Sequence, residues 1–311
     1  MRILRTLLLA ITAGGILSAA TITNITSVTD LNTLNGQIAG LAKKNYGFMT
    51  GSGNITPANT TEFFGLKIGL GLGIAGNAGF MSLISAPNSI TSIDTLVSLI
   101  PAPYDVLYAK IGLPGFIPFL DKTDVGVRFG YFPTMSIPLS GGFMFNVNGV
   151  SAFGIEVRKT FFELPAGLIR VDARVAYNYS GGGIGIKYTT NAAGVTNTFT
   201  ETMTWSGNNI SVKAVAGVNI PFVFGAFVGI GPELNFGGVT AQSDLTAQGS
   251  FNFAGTTFSA LSTITSSALG AYDPFDIRVI GGIHLLVVDV AVEYGLLSGG
   301  LSAYAGLSLA F

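Results

Sequence analysis

Along most of this chain, apolar residues recur at every second position. The clearest run is Leu66, Ile68, Leu70, Leu72 and Ile74 on one face, with Lys67, Gly69, Gly71 and Gly73 on the other. A helix would scatter those glycines around its axis at about 1 kcal/mol each relative to Ala, so the period of two predicts a strand. The same alternation predicts strands at Leu107–Gly112, Asp124–Tyr131, Phe153–Arg158, Ile169–Asn178, Gly183–Tyr188, Ile210–Asn219, Phe222–Gly231, Ile277–His284 and Val288–Tyr294. Leu234 to Phe253 alternates less cleanly. The tail repeats the pattern: Leu301, Ala303, Ala305, Leu307, Leu309 and Phe311 alternate with Ser302, Tyr304, Gly306, Ser308 and Ala310. The reading is an all-β chain of about twelve strands, within a range of ten to fourteen.

Two segments break the rhythm. Thr29-Asp30 is a cap signal, and Leu31, Leu34, Ile38 and Leu41 then form a helical stripe, with Lys43 and Lys44 near its end. A helix is predicted over residues 29–45, with Gly47 to Thr61 as loop. Ile90, Ile93, Val97 and Ile100 predict a second short amphipathic helix, closed by Pro101 and Pro103. Residues 190–209 read as a polar arm around Trp205 at the tip of a long hairpin, and residues 254–272, rich in Ser and Thr, as loop.

The charges decide which face is which. Lys67, Lys110, Asp124, Arg128, Glu156, Arg158, Arg170, Asp172, Arg174, Lys187, Lys213, Asp276, Arg278, Asp289 and Glu293 all fall opposite the apolar row. A lipid-facing Arg or Lys at mid-membrane costs a barrel about 2–4 kcal/mol. The segregation therefore predicts a transmembrane antiparallel β-barrel with apolar residues toward lipid and these charges toward the lumen. A soluble sandwich would reverse the assignment, but its wet face would be dense in Lys and Glu, whereas these faces are rich in Gly. Opposite signs are interleaved, as in Arg170-Val-Asp172-Ala-Arg174, which favours a bracing network over a solute-selecting lining. The glycines leave room for a plug or a ligand.

Composition agrees. The chain of 311 residues is 49% hydrophobic but 10% charged, with 43 glycines, where soluble domains carry about 25% charged residues. A net charge of −1 offers no basic excess for nucleic acid. There is no cysteine for a disulfide or thiolate site and a single histidine, His284, so no metal, cofactor or enzyme active site is expected. Arg2 and Arg5, an apolar stretch to Leu17 and small residues at Ser18-Ala19-Ala20 read as a signal peptide cleaved after Ala20. Residues 21–61 then form a helical and loop segment, a candidate plug, and residues 62–311 the barrel. Export, no spanning helix and a terminal Phe311 point to the outer membrane of a diderm bacterium. Phe311 is the candidate sorting signal for the barrel-assembly machinery, and outer-membrane lipid the surroundings.

The order of parts, with Phe64-Gly-Leu-Lys-Ile-Gly69, Tyr108-Ala-Lys-Ile-Gly-Leu-Pro114, Asp124-Val-Gly-Val-Arg-Phe-Gly130 and Gly154-Ile-Glu-Val-Arg158, resembles a smaller branch of the FadL-like outer-membrane barrels. That resemblance implies a passive channel for hydrophobic or small solutes, with Ile90, Ile93, Val97 and Ile100 as a candidate hydrophobic ligand surface. The Asn-Pro-Ala hatch element of the fatty-acid transporters is absent, and the chain is shorter than they are. The competing expectation is a structural or surface-interaction barrel without a conducting pore.

Overall fold

A computed structural model describes residues 28–52, 65–77, 102–117, 120–138, 142–164, 168–192, 195–220, 224–253 and 256–311. The signal segment, the 90–100 helix and with it Ile90, Ile93, Val97 and Ile100 lie outside the described residues. Among the described residues one helix, α1 (Val28–Gly51), precedes twelve strands. They are β1 (Leu66–Asn77), β2 (Ala102–Gly112), β3 (Thr123–Phe132), β4 (Met135–Pro138), β5 (Phe143–Glu163), β6 (Ile169–Ala192), β7 (Val195–Ile220), β8 (Phe224–Phe253), β9 (Thr256–Ala271), β10 (Phe275–Leu285), β11 (Val288–Gly295) and β12 (Gly300–Ala310).

All neighbours pair antiparallel, and the sheet closes on itself where β1 meets β12. The chain is a transmembrane antiparallel β-barrel. Its ring passes through β1, β2, β3, β5, β6, β7, β8, β10, β11 and β12. The short β4 hangs off β5, and β9 continues the line of β10 on the edge of β8. Backbone bonds between Leu66 and Phe311, at 2.8 and 3.1 Å, finish the seam. Closure leaves no open edge within the ring, as lipid requires.

One end of the ring carries tight connections, including those between β5 and β6, β7 and β8, and β10 and β11. At the opposite end β6, β7 and β8 run on far past their neighbours, and β9 joins them. This extension adds about 40 Å beyond the ring, from about twelve residues of β7 at about 3.3 Å each.

The two parts use opposite rules. In the ring, apolar side chains point outward: Val175 and Tyr177 on β6, Ile210 and Val212 on β7, and Ile230 and Leu234 on β8 are all more than 40% exposed. In the extension the apolar row turns inward: Ile184, Ile186, Phe199, Met203, Trp205, Val239 and Ala241 are buried. The outward row becomes Thr198, Thr200, Thr202 and Thr204 on β7, facing Thr246, Asp244, Gln242 and Thr240 on β8. On β6, β7 and β8 the strand keeps its facing and the sequence changes parity. On β5 the apolar parity stays odd and a bulge between Val147 and Val150, with Gly149 at φ +75°, flips the strand instead. The switch falls at one level, where Gly182 is beside Trp205 and Gly207 beside Gly237. We assign that level as the edge of the lipid belt, because an outward row that turns from apolar to polar is what a change from lipid to water outside the sheet requires.

The inversion corrects several expectations. Lys187 points outward and is exposed, because Ile184 and Ile186 take the inner face above the belt. The 254–272 segment is mostly strand β9, polar because one face meets water and the other meets α1. Helix α1 runs to Gly51, past the predicted end at residue 45. The glycine row of β1 is not open space: a Cβ at Gly69, Gly71 or Gly73 would collide with the rings of Tyr108, Tyr304 and Tyr104 respectively.

The inversion predicts thiol reactivity in vesicles. A cysteine at Thr204 reacts with a water-soluble maleimide, while cysteines at Val212 and Met203 stay unlabelled. Equal labelling at Thr204 and Val212 would remove the assigned belt edge.

Candidate functional site

The inner face of the ring holds the charges, and it holds them in pairs. On β2, β3, β5 and β6, Lys110 bonds Glu156, Arg158 reaches Asp124 at 2.8 Å and Asp172 at 3.9 Å, and Arg174 lies 3.8 Å from Glu156. Thr160 donates to Asp172 at 2.7 Å. On β7, β8, β10 and β11, Lys213 sits 2.9 Å from Glu233 and 3.3 Å from Glu293. Arg278 joins the same two carboxylates, the second at 3.3 Å. Near the tight-turn end, Asp289 accepts from Tyr108 at 3.2 Å and lies 2.7 Å from Nδ1 of His284. Lys67 is buried on the same face. Arg170 stands apart, half-buried at the rim with Glu163 at 2.7 Å.

Arg158, Arg278 and Glu293 are 0% exposed and Arg174 and Lys213 1%. Water does not reach these side chains, so charge pairing and hydrogen bonds must satisfy them. Tyr104, Tyr108 and Tyr304 fill the remaining wall of the interior beside the β1 glycines.

Helix α1 closes the other half. It packs on β6, β7, β8, β9, β1 and β12. In its first half only one stripe is buried, with Asn35, Ile38, Ala39 and Ala42 inward and Asn32, Gly36 and Gly40 exposed. From Tyr46 to Ser52 every residue is buried, because this end enters the ring. A helix terminus leaves unpaired carbonyls carrying partial negative charge. Here two arginines meet them. Arg128 donates to the carbonyls of Ser52 and of Thr50, the latter at 3.1 Å. Arg278 donates to the carbonyl of Phe48 and to the Ser52 hydroxyl at 3.1 Å, with its guanidinium 4.0 Å from the Phe48 ring centre. Tyr46 stacks on Trp205 at 4.6 Å between ring centres. A Cβ at Gly51 would sit 2.6 Å from atoms of both Arg278 and Glu233 and would push these side chains aside.

Where α1 lies on the extension, the contacts are polar. Asn35 donates to Ser266 and accepts from Ser243, both at 2.9 Å. Ser243 also bonds Glu201. Glu201 is 0% exposed, and its Oε1 has no hydrogen-bond partner. Burial, reinforced by Asp244 and opposed by the Ser243 bond, raises its pKa to about 8.

Apart from Lys187, which is exposed, and Arg170, which is at the rim, the sequence-predicted charges face the enclosed interior. Missing from the prediction were Glu233, Glu201, Asn178, Asn209 and Asn235. Glu233 stands between Pro232 and Leu234, where the ladder to β7 pauses between Ser211 and Ala214 and the alternation weakens. Its parity, opposite to Val228 and Ile230, was the available signal. Among the described residues no cluster of His, Cys, Asp or Glu has the arrangement of a metal site.

No family model matches the chain, and no curated protein matches it. Among solved structures, the translocator domain of the autotransporter NalP from Neisseria meningitidis is similar over 81% of this chain and 90% of that one, at 9% identity and TM-score 0.32. The outer membrane protease OmpT from Escherichia coli is similar over 84% and 100%, at 8% identity and TM-score 0.32. The toluene transporter TbuX from Ralstonia pickettii is similar over 89% and 98%, at 10% identity and TM-score 0.18.

Two predictions follow from the buried charges. Arg278→Ala leaves Lys213 as the one cation on the two buried carboxylates Glu233 and Glu293 and removes one of the two arginines at the end of α1, and should lower stability by about 3–5 kcal/mol. Lys122→Ala, at an exposed rim pair, should cost at most about 1 kcal/mol. Urea titration of the vesicle-embedded barrel reads both. For Glu201, a pKa raised from 4.5 to about 8 means the folded state keeps a proton that the unfolded chain loses. Its contribution is complete below the unfolded value of 4.5 and declines as pH rises toward about 8. Hydrogen exchange of α1 around Asn35 should therefore quicken across that window, and Glu201→Gln should flatten the response.

Proposed function

We propose that this chain is an outer-membrane barrel with a closed interior, built to hold a polar sheet above the membrane, and not an open pore. The observation that carries this reading is the filled ring: paired charges at belt level with exposures of 0–6%, and the end of α1 bonded to Arg128 and Arg278. A conducting lumen of this width needs water along its charged lining, and these side chains have none. In outer-membrane barrels short turns face the periplasm and long loops the exterior. The extension then stands outside the cell, residues 21–61 supply the plug through α1, and the paired charges brace the ring. Phe311, 75% exposed beside the seam, is free to serve as the assembly signal.

The FadL-like reading, a passive channel for a hydrophobic or small solute, requires α1 to leave. One observation favours keeping it second: α1 is held by non-covalent contacts, among them hydrogen bonds, packing and the Lys43–Asp273 ion pair at 3.0 Å, so its removal would unblock the mouth. The belt-level interior beneath it is ionic, which does not suit an apolar solute.

Planar-bilayer recording separates the two. The closed barrel gives no conductance steps, either intact or with Arg128→Ala and Arg278→Ala combined. Stepwise conductance of the intact protein would overturn the proposal. Steps seen only after loosening α1 would move the choice to the channel.

A further inference from the structure

Closure protects the ring's edges, but not the extension's. Among the described residues β9 pairs only with β8, and no described strand takes up the N–H and C=O groups on the other side of its 16 residues. Exposed edges are normally blunted by Lys, Pro or a bulge. β9 has none of these: Thr-Thr-Phe-Ser-Ala-Leu-Ser-Thr-Ile-Thr-Ser-Ser-Ala-Leu-Gly-Ala carries no charge and no proline, and its ladder with β8 runs without a register shift.

Its outward row is also symmetric. Leu261, Thr263, Thr265, Ser267 and Leu269 read almost the same in both directions about Thr265. Leu261 is 69% exposed and Leu269 78%, two large apolar side chains on an otherwise polar face. We infer that β9 pairs antiparallel with β9 of a second copy, about a two-fold axis at Thr265. The pairing sets Leu261 against Leu269 of the second copy, twice, with Thr263 against Ser267 and Thr265 against Thr265 between them. Both copies keep their outward rows on one face, so the leucines meet side by side. In this register Thr256 of one copy falls opposite Pro274 of the other, at the belt edge, so the tip of each extension reaches the surface of the opposite membrane.

The orientation has a consequence. β9 runs from the far tip of the extension toward the ring. An antiparallel copy runs the other way, so its ring lies at the opposite end. One membrane cannot hold both, and two facing membranes can. The contact therefore joins barrels on apposed bilayers, with about 14 strand residues, or about 45 Å, between their belt edges. The function is self-recognition between surfaces.

The chain lacks cysteine, so single substitutions report the register. Residues opposite each other in an antiparallel pair have Cα atoms about 4.5–5.5 Å apart, within disulfide reach. Two differently dyed populations of proteoliposomes carrying the full chain are mixed and oxidised mildly. Thr265→Cys should give cross-linked dimers between populations. Leu261→Cys alone and Leu269→Cys alone should each give several-fold less, and a mixture of the two should match Thr265→Cys. Heat-modifiable migration verifies that each variant is folded. Absence of the Thr265→Cys dimer in folded protein would overturn the inference, as would equal cross-linking by Leu261→Cys alone or dimers confined to one population. None of these outcomes bears on the closed interior, which conductance reads separately.

Discussion

Lipid outside the ring is the constraint on which the rest depends. A strand that crosses a bilayer must give its outward row to apolar side chains and pair all its backbone groups. The polar row then has nowhere to go but inward. In a narrow ring that interior cannot be left half wet: each charge needs a partner, and Arg158, Arg278 and Lys213 each find carboxylates on neighbouring strands. The buried pairs are thus less a source of stability than a solution to a problem set by the membrane. Replacing such pairs with apolar groups is often neutral, while breaking one is costly.

The same constraint explains α1. A helix end buried among apolar residues would leave its carbonyls unpaired. The ring already holds arginines on its inner face, so the end of α1 borrows Arg128 and Arg278 from the network. Arg278 serves three roles at once: it pairs with Glu233 and Glu293, caps the helix and covers the Phe48 ring. Higher up, where lipid ends, the side of α1 meets an inner face that has become apolar with a few hydroxyls and amides.

The barrel itself was legible from alternation, because period two is set by backbone geometry and the belt makes it strict. The inner charges were legible for the same reason. The extension was harder. Its strands keep the period but exchange the meaning of the two faces, so Ile184 and Ile186 looked like lipid-facing residues and Lys187 like a lumen charge. A change of parity between Tyr177 and Ile184, or between Trp205 and Ile210, was present in the sequence. Only the paired register shows that all the changes lie at one level. The bulge at Gly149 left no such trace, since the apolar parity of β5 never changes. The tyrosines that fill the glycine row belong to other strands, and no local pattern pairs Gly73 with Tyr104.

The central claim is that the belt-level interior is packed and dry. Guanidinium protons exchange with solvent rapidly unless they are shielded and bonded. Proton NMR of the barrel in lipid nanodiscs at neutral pH, observing the arginine side-chain N–H groups, tests this directly. The dry interior predicts slowly exchanging, resolved signals from Arg158 and Arg278 that persist after transfer to deuterated water. Exchange of both at the rate of an exposed arginine would contradict it.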